Sequence, residues 1–221
     1  DRAVSLPTAP GPIVDSRAPR WAFVREVVAA EMAREEYRGR TIRVVDLGAQ
    51  DGWMTWRLGE MGCDVTGVEP TPSLVQMART LPYPDEVRDR VRFVCYGIAH
   101  PVTDRLDRLV GVAAQWDVAV VCELWEHVRD ETVLYDFLRG VLRPGGLAIL
   151  TSPEGSWYQG RFPMGARPWY VARDHVRVVL LDEWVERFRA HYAIERAEVR
   201  PMPVPEVAGQ ACACLAARRR P

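Results

Sequence analysis

The sequence predicts an α/β fold: a doubly wound, mostly parallel sheet with helices on both faces and an antiparallel strand pair at its C-terminal side. Three observations predict it. Five short runs between residues 41 and 151 are nearly continuous in β-branched and apolar residues, as strands buried on both faces should be. Segments with helical spacing separate these runs, and right-handed crossovers then wind the sheet in both directions. Two further strand-like runs follow one another near residue 200 and read as an antiparallel pair.

Taken in order, residues 1–16 are proline-rich and read as an irregular lead-in, and residues 17–221 as a single domain. Trp21 to Tyr37 carries Trp21, Val24, Val27 or Val28, and Met32 at helical spacing and reads as an amphipathic helix ended by Gly39. Thr41–Leu47 is the first strand, Asp51–Met61 a helix, Asp64–Glu69 the second strand and Pro72–Thr80 the next helix. Val91–Tyr96 is the third strand and Asp117–Cys122 the fourth, with a short amphipathic helix over Thr103–Val112 between them. Glu131–Leu142 reads as a helix stopped by Pro144-Gly145-Gly146, and Leu147–Thr151 as the fifth strand. The rhythm then breaks. Residues 152–172 are dense in Gly, Pro and aromatics without a clear period, and form an insertion on the side where an acceptor would sit. Asp182–His191 is a helix, and Tyr192–Val199 and Gln210–Ala216 are the final strands.

Composition excludes several functions. The chain has 29 Lys plus Arg and 30 Asp plus Glu, a net charge of −1, so nothing drives it as a whole toward nucleic acid or an acidic membrane. All cations are Arg; with no Lys, a Schiff-base lysine, a lysine base and a P-loop are ruled out. No apolar run approaches the ~20 residues of a membrane span, and the N-terminal stretch does not read as a secretory signal. Five cysteines without CxxC spacing read as reduced, mostly buried thiols in a cytoplasmic protein.

In an open parallel sheet, ligands bind beyond the carboxyl ends of the strands. The first strand exits through Asp46-Leu47-Gly48-Ala49-Gln50-Asp51-Gly52, where Gly48 and Gly52 permit a tight turn and Asp51 can cap the next helix. This is not the GxGxxG of pyrophosphate cradles. The second strand ends at Glu69, 21 residues after Gly48, where a carboxylate can accept ribose hydroxyls or simply cap the following helix. Together they describe a nucleoside ligand without a pyrophosphate.

These segments resemble the motifs of class I S-adenosylmethionine-dependent methyltransferases, which are Rossmann-like. VVDLGAQDG is similar to the first motif, D-x-G-x-G-x-G, with Gln50 in place of the middle glycine. TGVEP, WDVAVVCELWEHV and LRPGGLAILTSP are similar to the second-, fourth- and fifth-strand motifs. The resemblance covers residues 40–155 well and is nearest to the ubiquinone-biosynthesis type. It implies S-adenosyl-L-methionine as cofactor, with Asp46, Gly48, Gln50 and Gly52 around its methionine and ribose, and Glu69 on the ribose hydroxyls. Thr71, Leu74, Gly97 and Ile98 fall near the adenine, and Cys122 and Glu123 at the reaction end. The third strand's exit, Tyr96-Gly97-Ile98-Ala99, lacks the acid often found there.

Methyl transfer from a sulfonium needs positioning more than acid–base power, and a hydroxyl acceptor adds the need for a base, commonly His. Glu123, Glu126 and His127 would share one face if that segment were helical. Three readings stand: a turn-orienting pair, a general base at His127 held by a carboxylate, or a divalent-metal site with His175 as a distant fourth ligand. The ExxEH spacing is similar to metal-dependent quinone-biosynthesis and small-RNA 2′-O-methyltransferases. No metal ligand is assigned. Glu123, His127 and His175 are the catalytic candidates; His100 and His191 read as structural. The aromatics Trp157, Tyr158, Phe162, Trp169 and Tyr170 could stack a sugar or planar ring, or pack a homodimer, and the first helix could serve as a second flap over the cofactor. The expected activity is O-methylation of a small molecule such as a sugar, glycolipid or secondary metabolite. The alternatives are an RNA 2′-O-methyltransferase, against which the charge balance and the lack of an added RNA-binding module weigh, and a non-catalytic cofactor-binding regulatory subunit.

Overall fold

The computed structural model describes residues 17–97, 116–156, 176–178, 180–202 and 211–220. The helix expected over 103–112, most of the aromatic insertion, Ile98, His100 and His175 lie outside the described residues. Seven strands form one sheet in the order β3-β2-β1-β4-β5-β7-β6. They are β1 (Arg43–Leu47), β2 (Asp64–Glu69), β3 (Val91–Cys95), β4 (Trp116–Cys122), β5 (Leu142–Pro153), β6 (Tyr192–Pro201) and β7 (Ala211–Arg219). β1 to β5 pair in parallel, and β7 pairs antiparallel with both β5 and β6. The helices are α1 (Ala18–Met32), α2 (Trp53–Glu60), α3 (Pro72–Arg79), α4 (Asp85–Arg88), α5 (Glu131–Val141) and α6 (Leu181–Arg189). Trans-strand alternation sorts the core into two layers. Val44, Val65, Val118 and Ile149 meet α1 and α2 on one face, and Val45, Val68, Val121 and Leu150 meet α5 and α6 on the other.

Local chemistry accounts for most boundaries. The Asp130 carboxylate accepts from Thr132 N–H at 3.0 Å and starts α5, whose Leu134, Tyr135, Leu138 and Val141 recur at helical spacing and are buried. Three sequence expectations need correction. The helix read as Trp21–Tyr37 is two elements, α1 and a 3₁₀ turn over Glu35–Tyr37, with Gly39 in the left-handed region beyond them. Its buried face includes Phe23 and Glu31; Trp21 and Met32 are only partly buried. The Glu31 carboxylate is tolerated there because Arg218 meets it at 2.7 and 3.1 Å and Tyr37 donates to it at 2.9 Å. The fifth strand begins at Leu142, not Leu147. Trp116 pairs with Leu142 and Val118 with Leu147, so Pro144-Gly145-Gly146 is looped out within the strand rather than preceding it.

The chain moves outward from β1 through β2 to β3, then returns across the sheet to β4. This reversal puts a crevice at the carboxyl ends of β1 and β4. At the opposite end of these strands, the buried Asp117 ties the sheet together. It accepts from Arg40 at 2.8 and 3.0 Å, from Arg43 N–H at 2.9 Å and from Arg143 at 2.8 Å.

Candidate functional site

The loop leaving β1 is shaped by left-handed residues: Gly48 (φ 76°), Gln50 (φ 48°) and Gly52 (φ 81°). Gly48 N–H and Ala49 N–H both donate to Val68 O, at 2.9 and 3.1 Å, which folds the loop against the end of β2. A side chain at Gly52 would put its Cβ 2.7 Å from Ala78 Cβ and 2.8 Å from the Phe93 ring, so glycine is needed there for space as well as conformation. Gly52, not Asp51, is the residue that caps α2. The Asp51 carboxylate instead accepts from Trp53 N–H at 3.2 Å and pairs with Arg17 at 3.1 Å. Gln50 occupies its conformation at a cost of roughly 1–2 kcal/mol. Gln50→Gly removes that strain and returns about 0.5–1 kcal/mol through the looser unfolded chain. The variant is therefore expected to match or exceed the wild type in urea unfolding by up to about 1.5 kcal/mol; a loss would show that the Gln50 side chain itself stabilises the loop.

Glu69 ends β2 and is buried. One carboxylate oxygen accepts from Gln50 N–H at 3.1 Å and the other from Thr71 N–H at 2.9 Å. The side chain thus joins the loops after β1 and β2 and is held in one orientation by two backbone donors. Asp46 is also buried; Thr55 Oγ1 donates to it at 2.6 Å, and burial pushes its carboxyl up to about 6 against that hydrogen bond.

The exit of β4 departs from the sequence expectation. Glu123 is left-handed (φ 52°), and the only helical turn is the 3₁₀ segment Trp125–His127, so Glu123, Glu126 and His127 do not share a helix face. They remain close in another way. Glu123 accepts from Thr151 Oγ1 at 3.1 Å and faces Arg20 Nε at 3.2 Å. Burial pushes its carboxyl up, opposed by the charges of Arg20 and His127. Glu126 is fully buried, with one oxygen accepting from Ser152 Oγ at 3.2 Å and the other unpartnered. Burial, then the neighbouring Glu123 charge, raises it to about 8. The Cys122 thiol is likewise pushed up by burial. Among the described residues, no three His, Cys, Asp or Glu side chains converge to hold a metal ion.

The crevice between these loops has a volume of about 180 Å³ and is lined by Asp46, Gly48, Gln50, Cys122 and Glu123 among the expected residues. Glu69 stands behind Gln50, and Gly52, Leu74, Gly97 and His127 do not line it. Gly97 follows Tyr96, whose N–H donates to Glu69 O at 3.1 Å, and Leu74 is half-buried on α3. Sequence reasoning missed Arg17, Arg20, Trp53 and Met54, which line it together with Ala49 and Asp51 of the first loop. Arg17, which caps α1, and Arg20 within it reach the crevice where Trp21 packs edge-on against Trp53, with ring centroids 6.0 Å apart, and holds the helix beside it. The only signal for them was the expectation that the first helix covers the cofactor.

Comparison with known proteins follows the same lines. Residues 20–192 match the family described as "Methyltransferase domain". The chain is 27% identical over 136 residues to a ubiquinone biosynthesis O-methyltransferase of Azorhizobium caulinodans, covering 60% of this chain and 50% of that protein. It spans about half the length of the curated relatives it matches. Among solved structures, the glycopeptide N-methyltransferase MtfA complexed with S-adenosyl-L-methionine superposes with a TM-score of 0.65 at 18% identity, covering 99% of this chain and 100% of that one. The [4+2]-cyclase SpnF superposes with a TM-score of 0.61 at 17% identity, covering 93% and 85%. Both structural likenesses speak for the fold. No helix among the described residues is long and apolar enough to cross a membrane. With the match over residues 20–192, the sheet order and the glycine-turned loop beside an anchored acid, the chain belongs to the S-adenosylmethionine-dependent methyltransferase family.

Proposed function

We propose that this protein transfers a methyl group from S-adenosylmethionine to a hydroxyl of a small-molecule acceptor. The observation that carries the reading is Glu69, a carboxylate at the carboxyl end of β2 fixed by two backbone N–H groups behind the crevice loop, with lone pairs left for a ribose diol. The donor set fits the cofactor. Asp46 and Glu123 supply negative charge and Cys122 a soft wall for a sulfonium, and Arg17 and Arg20 supply cations for an amino-acid carboxylate. When bound, S-adenosylmethionine supplies an electrophilic methyl on a good leaving group.

The chain's own residues then orient the reactants and exclude water. Gly48 and Gln50 form the floor, and Leu74 and Gly97 flank the adenine side. His127 takes the acceptor proton, and Glu123 stands close enough to feel the His127 charge. His175 is assigned to the acceptor side. The hydroxyl assignment is supported by the curated relatives named O-methyltransferases. Five free cysteines suit a reducing compartment such as the cytoplasm.

Two measurements test the reading together. S-adenosylhomocysteine should raise the melting temperature of the wild type. His127→Ala should keep that shift yet lower kcat about 10²–10⁴-fold on any hydroxyl acceptor found by substrate screening. An absent thermal shift sinks the cofactor assignment, and an unchanged kcat removes His127 from the chemistry.

A further inference from the structure

Cys212 and Cys214 are consecutive same-face residues of β7, both buried, with their sulfurs 3.6 Å apart. They lie just behind the crevice. Cys214 is in register with Thr151, which is in register with Cys122 on the crevice wall. Cys212 opposes Pro153 and feels the charges of Glu123 and Arg20. The two sulfurs also differ chemically. The contact with Cys214 holds the Cys212 thiol below its ordinary value, while the same contact and burial push Cys214 up.

We propose that Cys212 and Cys214 form a peroxide-sensitive dithiol whose oxidation to an intrachain disulfide weakens ligand binding in the adjacent crevice. The Cys212 thiolate attacks one oxygen of hydrogen peroxide. The O–O bond breaks, Cys212 becomes a sulfenic acid, and the departing hydroxide takes up the thiol proton as water. The Cys214 sulfur then displaces the second oxygen, its proton leaving with that oxygen as a second water, and the S–S bond forms. Two thiols lose two electrons and the peroxide gains them.

The strand cannot accept this bond without moving. A disulfide needs sulfurs roughly 2.05 Å apart and Cβ atoms about 3.5–4.5 Å apart, whereas two residues of extended strand span roughly 6.6 Å. β7 must buckle at Ala213, which pairs with Ser152. Thr151 and Ser152 are the residues whose hydroxyls hold Glu123 and Glu126. Oxidation therefore disturbs the wall formed by the β4 exit, and by linkage a bound ligand protects the dithiol.

The test uses the full chain in a Cys95→Ser background, since Cys95 is the exposed thiol. Peroxide treatment should remove about 2 Da and yield a peptide linking Cys212 to Cys214, more slowly when S-adenosylhomocysteine is present. Calorimetry should show at least tenfold weaker S-adenosylhomocysteine binding after oxidation, restored by dithiothreitol, with Cys212→Ala unresponsive. Two separate thiols after peroxide, or a disulfide with unchanged affinity, overturns the proposal. If the reduced protein does not bind S-adenosylhomocysteine, the cofactor reading fails instead. The mass change and the expected rise in urea sensitivity of the oxidised form then still decide the dithiol.

Discussion

Glu69→Ala is expected to weaken S-adenosylhomocysteine binding about 100-fold and to abolish the ligand's thermal shift at micromolar concentration. Hydrogen bonds to a charged group contribute roughly 1.5–3 kcal/mol each, and a ribose diol makes two. A hundredfold loss is about 3 kcal/mol, at the low end of their sum. The substitution also releases Gln50 N–H and Thr71 N–H, so the loops after β1 and β2 lose their shared anchor. Glu69→Gln separates the contributions. It keeps the shape and one acceptor oxygen, but presents its amide to one of two N–H donors, and should fall between wild type and alanine. Isothermal calorimetry on the three proteins decides the matter; an alanine variant within threefold of wild type would leave Glu69 as a loop anchor alone.

The second large effect concerns stability. Asp117→Ala should destabilise the fold by about 3 kcal/mol at pH 7, the lower part of the range for breaking a buried ion pair. The low end is expected because Arg40, being 43% exposed, can turn to water. What remains is Arg43 N–H without its acceptor and Arg143, only 22% exposed, left with Glu36 at 3.4 Å and the Tyr37 hydroxyl but without its nearer carboxylate. The pH dependence has a definite sign. Burial alone would raise the Asp117 carboxyl, but hydrogen bonds from Arg40, Arg43 N–H and Arg143 hold it below the ordinary carboxylate range. Its contribution is fully present above the unfolded-state value, roughly pH 4, and is lost as pH falls through the lower folded-state value. Urea unfolding of wild type and Asp117→Asn should therefore diverge at pH 7 and converge in acid. A gap that persists unchanged to pH 2 would assign the effect to packing instead of charge.

The parallel half of the fold was legible because its strands are short, largely apolar runs, and the central ones, β1 and β4, are buried on both faces and read as near-continuous apolar stretches. The first-motif loop was legible because its glycines sit where the backbone turns left-handed. Other features carried no such mark. Nothing in Cys122-Glu123-Leu124 signals a positive φ, a conformation usually advertised by Gly or Asn. The helix on which a shared face was conditional does not form there, and Glu123 contacts Thr151 and Arg20, residues distant in sequence. Glu31 was absent from the expected core for a related reason. A carboxylate on an apolar face is legible as buried only when Arg218 is known to reach it. Pro-Gly-Gly reads locally as a stop, yet β4 pairs on both sides of it. Nothing in the sequence marks Arg17 and Arg20 as lining the crevice until α1 is placed over it.

The position of β7 bears on how the molecule is assembled. It is late in the chain yet interior in the sheet, so β6, though translated first, has no partner until β7 inserts beside β5. Arg218, within β7, then neutralises Glu31, 187 residues earlier. A nascent chain that stops before residue 211 would carry a naked β5 margin and, on α1, an acid deprived of its nearest cation, the sort of surface that chaperones retain and that invites clumping. Completion of the sheet accordingly waits on the arrival of one strand.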